Sequence, residues 1–300
     1  MSRTFLAVVN RAAGGKRCGK QADAVIADLR AKGIKIDVAE TKARGHATEI
    51  VRAEYAKGRT SFMAVGGDGT SYEIVNGLFP EALDGPKPRL ALLPLGTGNS
   101  FLRDFSNDGA AYAIESLLAD RVRACDVMRM KHDRGTIYYI NLLSIGFAAN
   151  AAAVTNRRFK RFGPAGYLAG VLVCLLKHER RRFPLRINGE SQTDDRKCLF
   201  LSFNNSKFTG GTMMIAPDAD PTDGQVEFVR WGPIGRLGAL GQLKRIYDGT
   251  HVKHPLAEVR RASRFEFDLD DAIDVMVDGE VIRIRCEALD VLPGALEVCV

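Results

Sequence analysis

The chain has 300 residues, 46% of them hydrophobic and 26% charged. Those fractions belong to a folded globular protein and exclude disorder, collagen and coiled coil, and the length favours two domains over one. Lysine and arginine number 43 against 36 acidic residues, a net charge of +7, which suits anionic partners without choosing among them. No apolar run reaches the roughly 18 residues of a membrane span; 165–176 is the nearest. The apolar run at 5–9 is too short for a signal peptide. Cys18, Cys125, Cys174, Cys198, Cys286 and Cys299 are scattered without a C-x-x-C pair, which predicts reduced thiols in a cytosolic protein and no zinc site.

The first third alternates strand and helix. Strands are predicted at 5–9, 35–39, 62–65 and 90–93, with helices at 22–29, at 46–57 and around Ile74, Val75 and Leu78. Such alternation implies a parallel sheet with helices on both faces, and ligands bind beyond the carboxyl ends of its strands. From Arg121 the pattern changes. Strands are predicted at 122–130, 138–145, 185–188, 198–203, 226–231, 265–269, 273–277 and 281–285, interrupted by helices at 165–177 and 234–247. Many strands with few helices predict an antiparallel sandwich or barrel. The fold class is therefore an α/β domain followed by a β-rich one.

Three loops carry candidate chemistry. Residues 14–21, GGKRCGKQ, nearly spell a P-loop, but Gln21 stands where a magnesium-binding hydroxyl belongs. An anion-binding turn and a flexible basic loop both remain open there. Residues 66–70, GGDGT, are more specific. Their glycines let the backbone approach a ligand. Asp68 repels a bare phosphate, so its carboxylate makes sense with magnesium in between. Thr70 offers a hydroxyl and free N–H groups at a helix start. Residues 94–99, PLGTGN, repeat the arrangement at the next strand end, where Thr97 and Asn99 offer polar groups to the same crevice.

Other features carry two readings. Asp278-Gly279 between alternating segments is a strong hairpin signal. Asp218, Asp220 and Asp223 form an acidic loop without EF-hand spacing. Arg157, Arg158, Lys160 and Arg161 precede the apolar stretch 167–176, and Lys177, Arg180, Arg181 and Arg182 follow it. That arrangement suits an anionic membrane surface or the solvated ends of a core helix. His251 and His254 read as a surface pair, Trp231 and the methionines as core. Nothing resembles a nucleic-acid-binding motif, so no nucleic-acid partner is expected.

GGDGT followed by P-x-G-T-x-N resembles the diacylglycerol kinase catalytic family. That family spans bacterial soluble lipid kinases and the sphingosine and ceramide kinases, with NAD kinases as more distant relatives. The resemblance continues through Asn10, residues 141–146, FTGG at 208–211, APDAD at 216–220, DG at 223–224, VDGE at 277–280 and LPGAL at 292–296. It implies an N-terminal parallel three-layer domain, NAD kinase- or phosphofructokinase-like, over 1–122. A mainly antiparallel β-sandwich over 123–292 would carry the lipid, and a tail at about 293–300 would rejoin the first domain. ATP would lie between the domains, held by Asn10, Arg11, Gly14, Thr41, Gly66, Gly67, Asp68, Gly69, Thr70, Ser71, Tyr72, Gly96, Thr97 and Asn99. Asp278 falls where the family places its general base, with Glu280 beside it and Asp68 acting through magnesium. Asp220, Asp223 and the backbone of Gln225 match a structural magnesium site. Ser100 stands where many bacterial relatives carry aspartate, with Asp104 as the nearest substitute.

The implied activity is an ATP- and magnesium-dependent lipid kinase at the cytoplasmic face of a membrane, binding its anionic surface peripherally. Diacylglycerol is the default acceptor, and ceramide or a sphingoid base the rival. An NAD kinase relative and a catalytically weak nucleotide- or lipid-binding regulator are the other readings. The oligomeric state stays open, a homodimer included.

Overall fold

The structure, a computed structural model, describes residues 4–96, 99–154, 173–174 and 180–300. Strands β1 (Thr4–Val9), β2 (Lys35–Glu40), β3 (Ser61–Gly66) and β4 (Arg89–Pro94) alternate with helices α1 (Arg17–Ala31), α2 (His46–Ala56) and α3 (Asp68–Leu78). The strands pair in parallel in the order β2-β1-β3-β4. Successive side chains of a strand point to opposite faces, and β1 is apolar on both. Phe5, Ala7 and Val9 pack with Ala22, Ile26 and Leu29 of α1. Leu6 and Val8 face Val51, Ile74, Val75 and Leu78 of α2 and α3. Doubly covered strands of this kind must read as continuous apolar runs.

Helix α4 (Ala110–Leu118) leads to β5 (Val122–His132), β6 (Gly135–Tyr139), β7 (Leu142–Gly146) and α5 (Phe147–Val154). Then come β8 (Arg181–Arg182), β9 (Leu185–Ile187), β10 (Lys197–Cys198), β11 (Phe200–Asn204), β12 (Phe208–Thr209), β13 (Met213–Met214) and β14 (Val226–Trp231). The chain ends with β15 (Ala257–Ala262), β16 (Arg264–Phe267), β17 (Ile273–Val277), β18 (Glu280–Ile284) and β19 (Cys286–Cys299). One antiparallel sheet runs β15-β14-β11-β7-β17-β18. It packs on β5, β16 and β19 through Met128, Leu143, Phe203, Phe228, Phe265, Val275 and Leu289, forming the sandwich.

Strand β19 ties the two halves together. Its first part pairs antiparallel with β5 and β16, and Glu297–Cys299 lie parallel to β4. A register shift between Leu292 and Leu296 falls at Pro293 and Gly294, the latter at φ 57°. A proline cannot donate to a ladder, and a bulge accommodates it.

Several observed elements differ from the predicted ones, among them β15, α4 and α5, which the sequence pattern did not announce. The single strand expected at 138–145 is two, β6 and β7, because the carboxylate of Asp278 takes the N–H groups of Ile140, Asn141 and Leu142. No strand was expected across 286–299, where the proline and glycine mask β19. The helix expected at 234–247 is α-helical only over Arg236–Gln242, followed by the 3-10 turn Leu243–Ile246; Gly238 and Gly241 weaken it. Finally, most of the apolar stretch 165–177 and the basic cluster before it lie outside the described residues.

Candidate functional site

The carboxyl ends of β1, β3 and β4 bring three loops together, backbone against backbone. Gly96 N–H donates to the carbonyl of Gly66 at 2.6 Å. A Cβ on Gly96 would lie 2.4 Å from Gly67 Cα, and one on Gly14 would lie 2.8 Å from the Leu95 carbonyl. Both contacts forbid a side chain, and Gly14 is also in the left-handed region at φ 61°. Asn10 Nδ2 reaches Thr70 Oγ1 at 3.5 Å, and Ser71 Oγ donates to the carbonyl of Asp68 at 2.9 Å. Arg17 of the near-P-loop donates to the Gly96 carbonyl. Helix α3 opens at Asp68, and the N–H groups of Thr70 and Ser71 donate to the Gly67 carbonyl at 2.8 and 3.4 Å, which closes its first turn over the glycine loop.

A cleft of about 280 Å³ separates these loops from the second domain, lined by Asn10, Gly14, Gly67, Asp68, Gly69, Thr70, Gly96 and Ser100 on one side and Asn141, Thr209, Gly210, Asp278 and Glu280 on the other. Asp68 accepts from Ser100 N–H at 2.7 Å and from Ser100 Oγ at 2.9 Å, and the Asn141 side chain also favours its charged form. Burial pushes its carboxyl above the usual range, opposed by those donors.

Asp278 occupies the two-residue turn between β17 and β18, where Val277 pairs with Glu280. Asp278 and Gly279 have φ of 44° and 87°, as a mirror-image hairpin turn requires. The hairpin therefore presents the Asp278 carboxylate to the cleft. Asp278 Oδ1 accepts from Asn141 and Leu142 N–H, both at 3.1 Å, and Oδ2 accepts from Ile140 N–H at 3.2 Å. Burial, with a contribution from the charge on Asp68, pushes its carboxyl up to about 7. Glu280 stands at the cleft mouth, paired with Arg44 at 2.8 Å and with its side chain 34% exposed.

Not every expected residue faces the cleft. Arg11 is committed to Asp23 at 2.9 Å and Glu40 at 2.6 Å. Thr41 N–H and Oγ1 both donate to the Val9 carbonyl, at 3.0 and 3.4 Å. Asn99 Nδ2 braces the Pro94 and Gly96 carbonyls at 3.2 and 3.0 Å. Tyr72 packs against the sandwich core. Thr97 lies outside the described residues. In the acidic loop, Asp220 accepts from Thr222 N–H and Oγ1 at 3.0 and 2.7 Å, and Asp223 from Gln225 N–H at 2.9 Å. No group of three or more His, Cys, Asp or Glu placed to hold a metal occurs among the described residues.

Two expectations are corrected. His251 is fully buried beside Trp231, whose Nε1 donates to the His251 carbonyl at 3.3 Å, so it is no surface pair with His254. Asp104 does not stand in for an aspartate at 100. It accepts Lys207 N–H at 3.1 Å, and Ser100 itself serves Asp68. Asn141, Thr209 and Gly210 were not singled out individually for the site. Their only sequence signal was membership of the resembling runs, because each enters the cleft through long-range pairing.

Two glycine loops thus face a hairpin carboxylate across a cleft between an α/β domain and a β-sandwich. The diacylglycerol kinase catalytic domain matches residues 4–130, and the YegS C-terminal NAD kinase beta sandwich-like domain matches 141–300. The chain is 29% identical to a Pseudomonas aeruginosa protein named probable lipid kinase YegS-like, covering 95% of this chain and 91% of that one. A Xanthomonas euvesicatoria pv. vesicatoria protein of the same name is 30% identical, covering 91% and 89%. A Mycobacterium tuberculosis diacylglycerol kinase is 25% identical, covering 97% and 93%. A crystal structure of a diacylglycerol kinase from Bacillus anthracis superposes with a TM-score of 0.71 at 19% identity, covering 99% and 96%, a likeness of fold. The chain belongs to the YegS-like lipid kinase family and is an enzyme of that class.

Proposed function

We propose that this enzyme transfers the γ-phosphoryl group of ATP to a lipid hydroxyl, with diacylglycerol as the acceptor. The observation that carries the proposal is the convergence of Asp68 and Asp278, from opposite domains, on one cleft. Gly67 and Gly69 bring bare backbone to the cleft where phosphates would lie, Gly66, Gly96 and Gly14 let the loops close against one another, and Asn10 and Thr70 add polar groups. Thr41, Arg11, Tyr72 and Asn99 shape those loops from behind.

Asp68 fits a magnesium ion. The groups that hold its carboxylate are neutral donors, and burial leaves its charge under-compensated. A magnesium ion bound there supplies positive charge to the phosphate oxygens. The hydroxyl oxygen bonds to phosphorus as the bond to the leaving ADP breaks, and Asp278 takes the hydroxyl proton. Oδ2 of Asp278 accepts a single N–H, which leaves a lone pair for that proton. Its elevated pKa suits a base that takes up a proton near neutral pH. A second reading puts the base at Glu280, favoured by its greater exposure at the mouth.

No helix of the described residues is long and apolar enough to cross a membrane. A lipid acceptor together with a net charge of +7 supports peripheral binding to the anionic cytoplasmic face. The experiment is a panel of diacylglycerol, ceramide, sphingoid base and NAD with γ-labelled ATP. Labelled diacylglycerol supports the proposal, labelled ceramide or sphingoid base moves the acceptor, and labelled NAD alone contradicts it.

A further inference from the structure

Ser100 is buried between the second glycine loop and the 3-10 turn Phe101–Asp104. Its N–H and Oγ grip the two oxygens of Asp68 at 2.7 and 2.9 Å. The same Oγ is 3.1 Å from the N–H of Gly211, in the second domain. Four residues on, both oxygens of Asp104 accept the N–H of Lys207 at 3.1 Å. Lys207 and Gly211 bracket Thr209 and Gly210, which line the cleft.

A hydroxyl has one proton and two lone pairs, a carboxylate only accepts, and a backbone N–H only donates. The direction of each bond at Ser100 is therefore fixed. While Asp68 is ionised it holds the Ser100 proton, which turns a lone pair toward Gly211. We propose that Ser100 is a positioning residue that couples the carboxylate of the nucleotide loop to segment 207–211, so that Asp68 sets the acceptor-side wall of the cleft without touching it. Asp104 is the fixed end of that clasp, and Ser100 is the end that responds. The importance of this coupling for turnover rests on the proposed role of Asp68; the coupling itself does not.

The test is hydrogen exchange of the backbone amides of segment 207–214 in the full chain without ligand. Ser100→Ala should speed exchange there by about tenfold, and Ser100→Thr, which keeps the hydroxyl, should not. Asp68→Ala should speed the same segment although it makes no hydrogen bond to it among the described residues, and the double variant should add nothing further. With active enzyme, Ser100→Ala should raise the KM for lipid more than that for ATP. Exchange at the parental rate in Asp68→Ala, or additive effects in the double variant, would overturn the coupling. If Ser100→Ala fails to fold, Asp68→Asn alone carries the test. With its amide oxygen on the Ser100 N–H, its NH2 group cannot accept the Ser100 proton, so the lone pair is no longer held toward Gly211, exchange should rise, and unchanged exchange overturns the proposal. Because the readout needs no turnover, a failed kinase reading and a failed coupling give different results.

Discussion

Asn141 stands between the two carboxylates of the cleft. Its N–H donates to Asp278 Oδ1 at 3.1 Å, and its side chain favours the charged form of Asp68. Ser206 Oγ in turn donates to Asn141 Oδ1 at 2.9 Å, which orients the amide. One residue in the break between β6 and β7 therefore sets the spacing of two acidic groups from different domains. Asn141→Ala should slow kcat on the order of 10²-fold, the scale that misplacement of reacting groups costs. A kcat within twofold of the parent in a folded variant would show that the spacing is held elsewhere.

Asp278→Asn separates base from turn. Asparagine tolerates the left-handed conformation, so the hairpin should persist and the thermal midpoint should move little. Loss of the proton acceptor should lower kcat by about 10² to 10⁴ with little change in ATP affinity. Glu280→Gln should keep most of its activity. The reverse pattern, an active Asp278→Asn and an inactive Glu280→Gln, assigns the base to Glu280.

The same carboxyl predicts two pH dependences. With a pKa near 7, Asp278 is charged only above that pH, so kcat should rise through about pH 7 and Asp278→Asn should lose that limb. Asp104 is likewise pushed up to about 7 by burial, but it holds Lys207, so Asp104→Asn should retain the limb. For stability the sign is opposite. In the unfolded chain an aspartate ionises near about 3.9, so between there and about 7 the folded chain keeps a proton that the unfolded chain has lost. The contribution of Asp278 is full below the lower value and fades as pH rises through the upper one. Denaturant titrations across that window should show the parent losing stability relative to Asp278→Asn as pH rises.

The legible and illegible parts of the molecule divide by the range of their contacts. The apolar runs of β1, β3 and β4 and the GGDGT and PLGTGN loops announce themselves because local pattern and strand ends suffice to place them. The break at Ile140 was invisible because it is made by Asp278, 138 positions along the chain. Strand β19 was hidden by Pro293-Gly294, which a bulge absorbs. His251 looked like a surface residue because nothing local reports the pocket beside Trp231. Ser100 looked like the loss of a charge, and only the fold shows a donor aimed at Asp68.

Ser100→Asp would replace that donor with a second carboxylate. Like charges at this distance raise each other's pKa and disfavour ionisation of both. The thermal midpoint should fall by several degrees in chelator and recover when magnesium is added. An equal fall with and without magnesium would show that no cation is recruited to Asp68.

Gly96→Ala tests the loop packing. Its Cβ would lie 2.4 Å from Gly67 Cα, a backbone atom that cannot swing aside. A cost of about 1–3 kcal/mol in denaturant unfolding is expected, as for overpacked cores, together with weakened ATP binding. Full stability and affinity would mean that the loops open readily.

The most direct test of the account is transfer of label from γ-labelled ATP to diacylglycerol in mixed vesicles, comparing the parent with Asp68→Ala in the presence of magnesium. The account predicts labelled phospholipid from the parent and none from a folded Asp68→Ala protein. Equal labelling by both, or labelling of NAD with none in lipid, would contradict it.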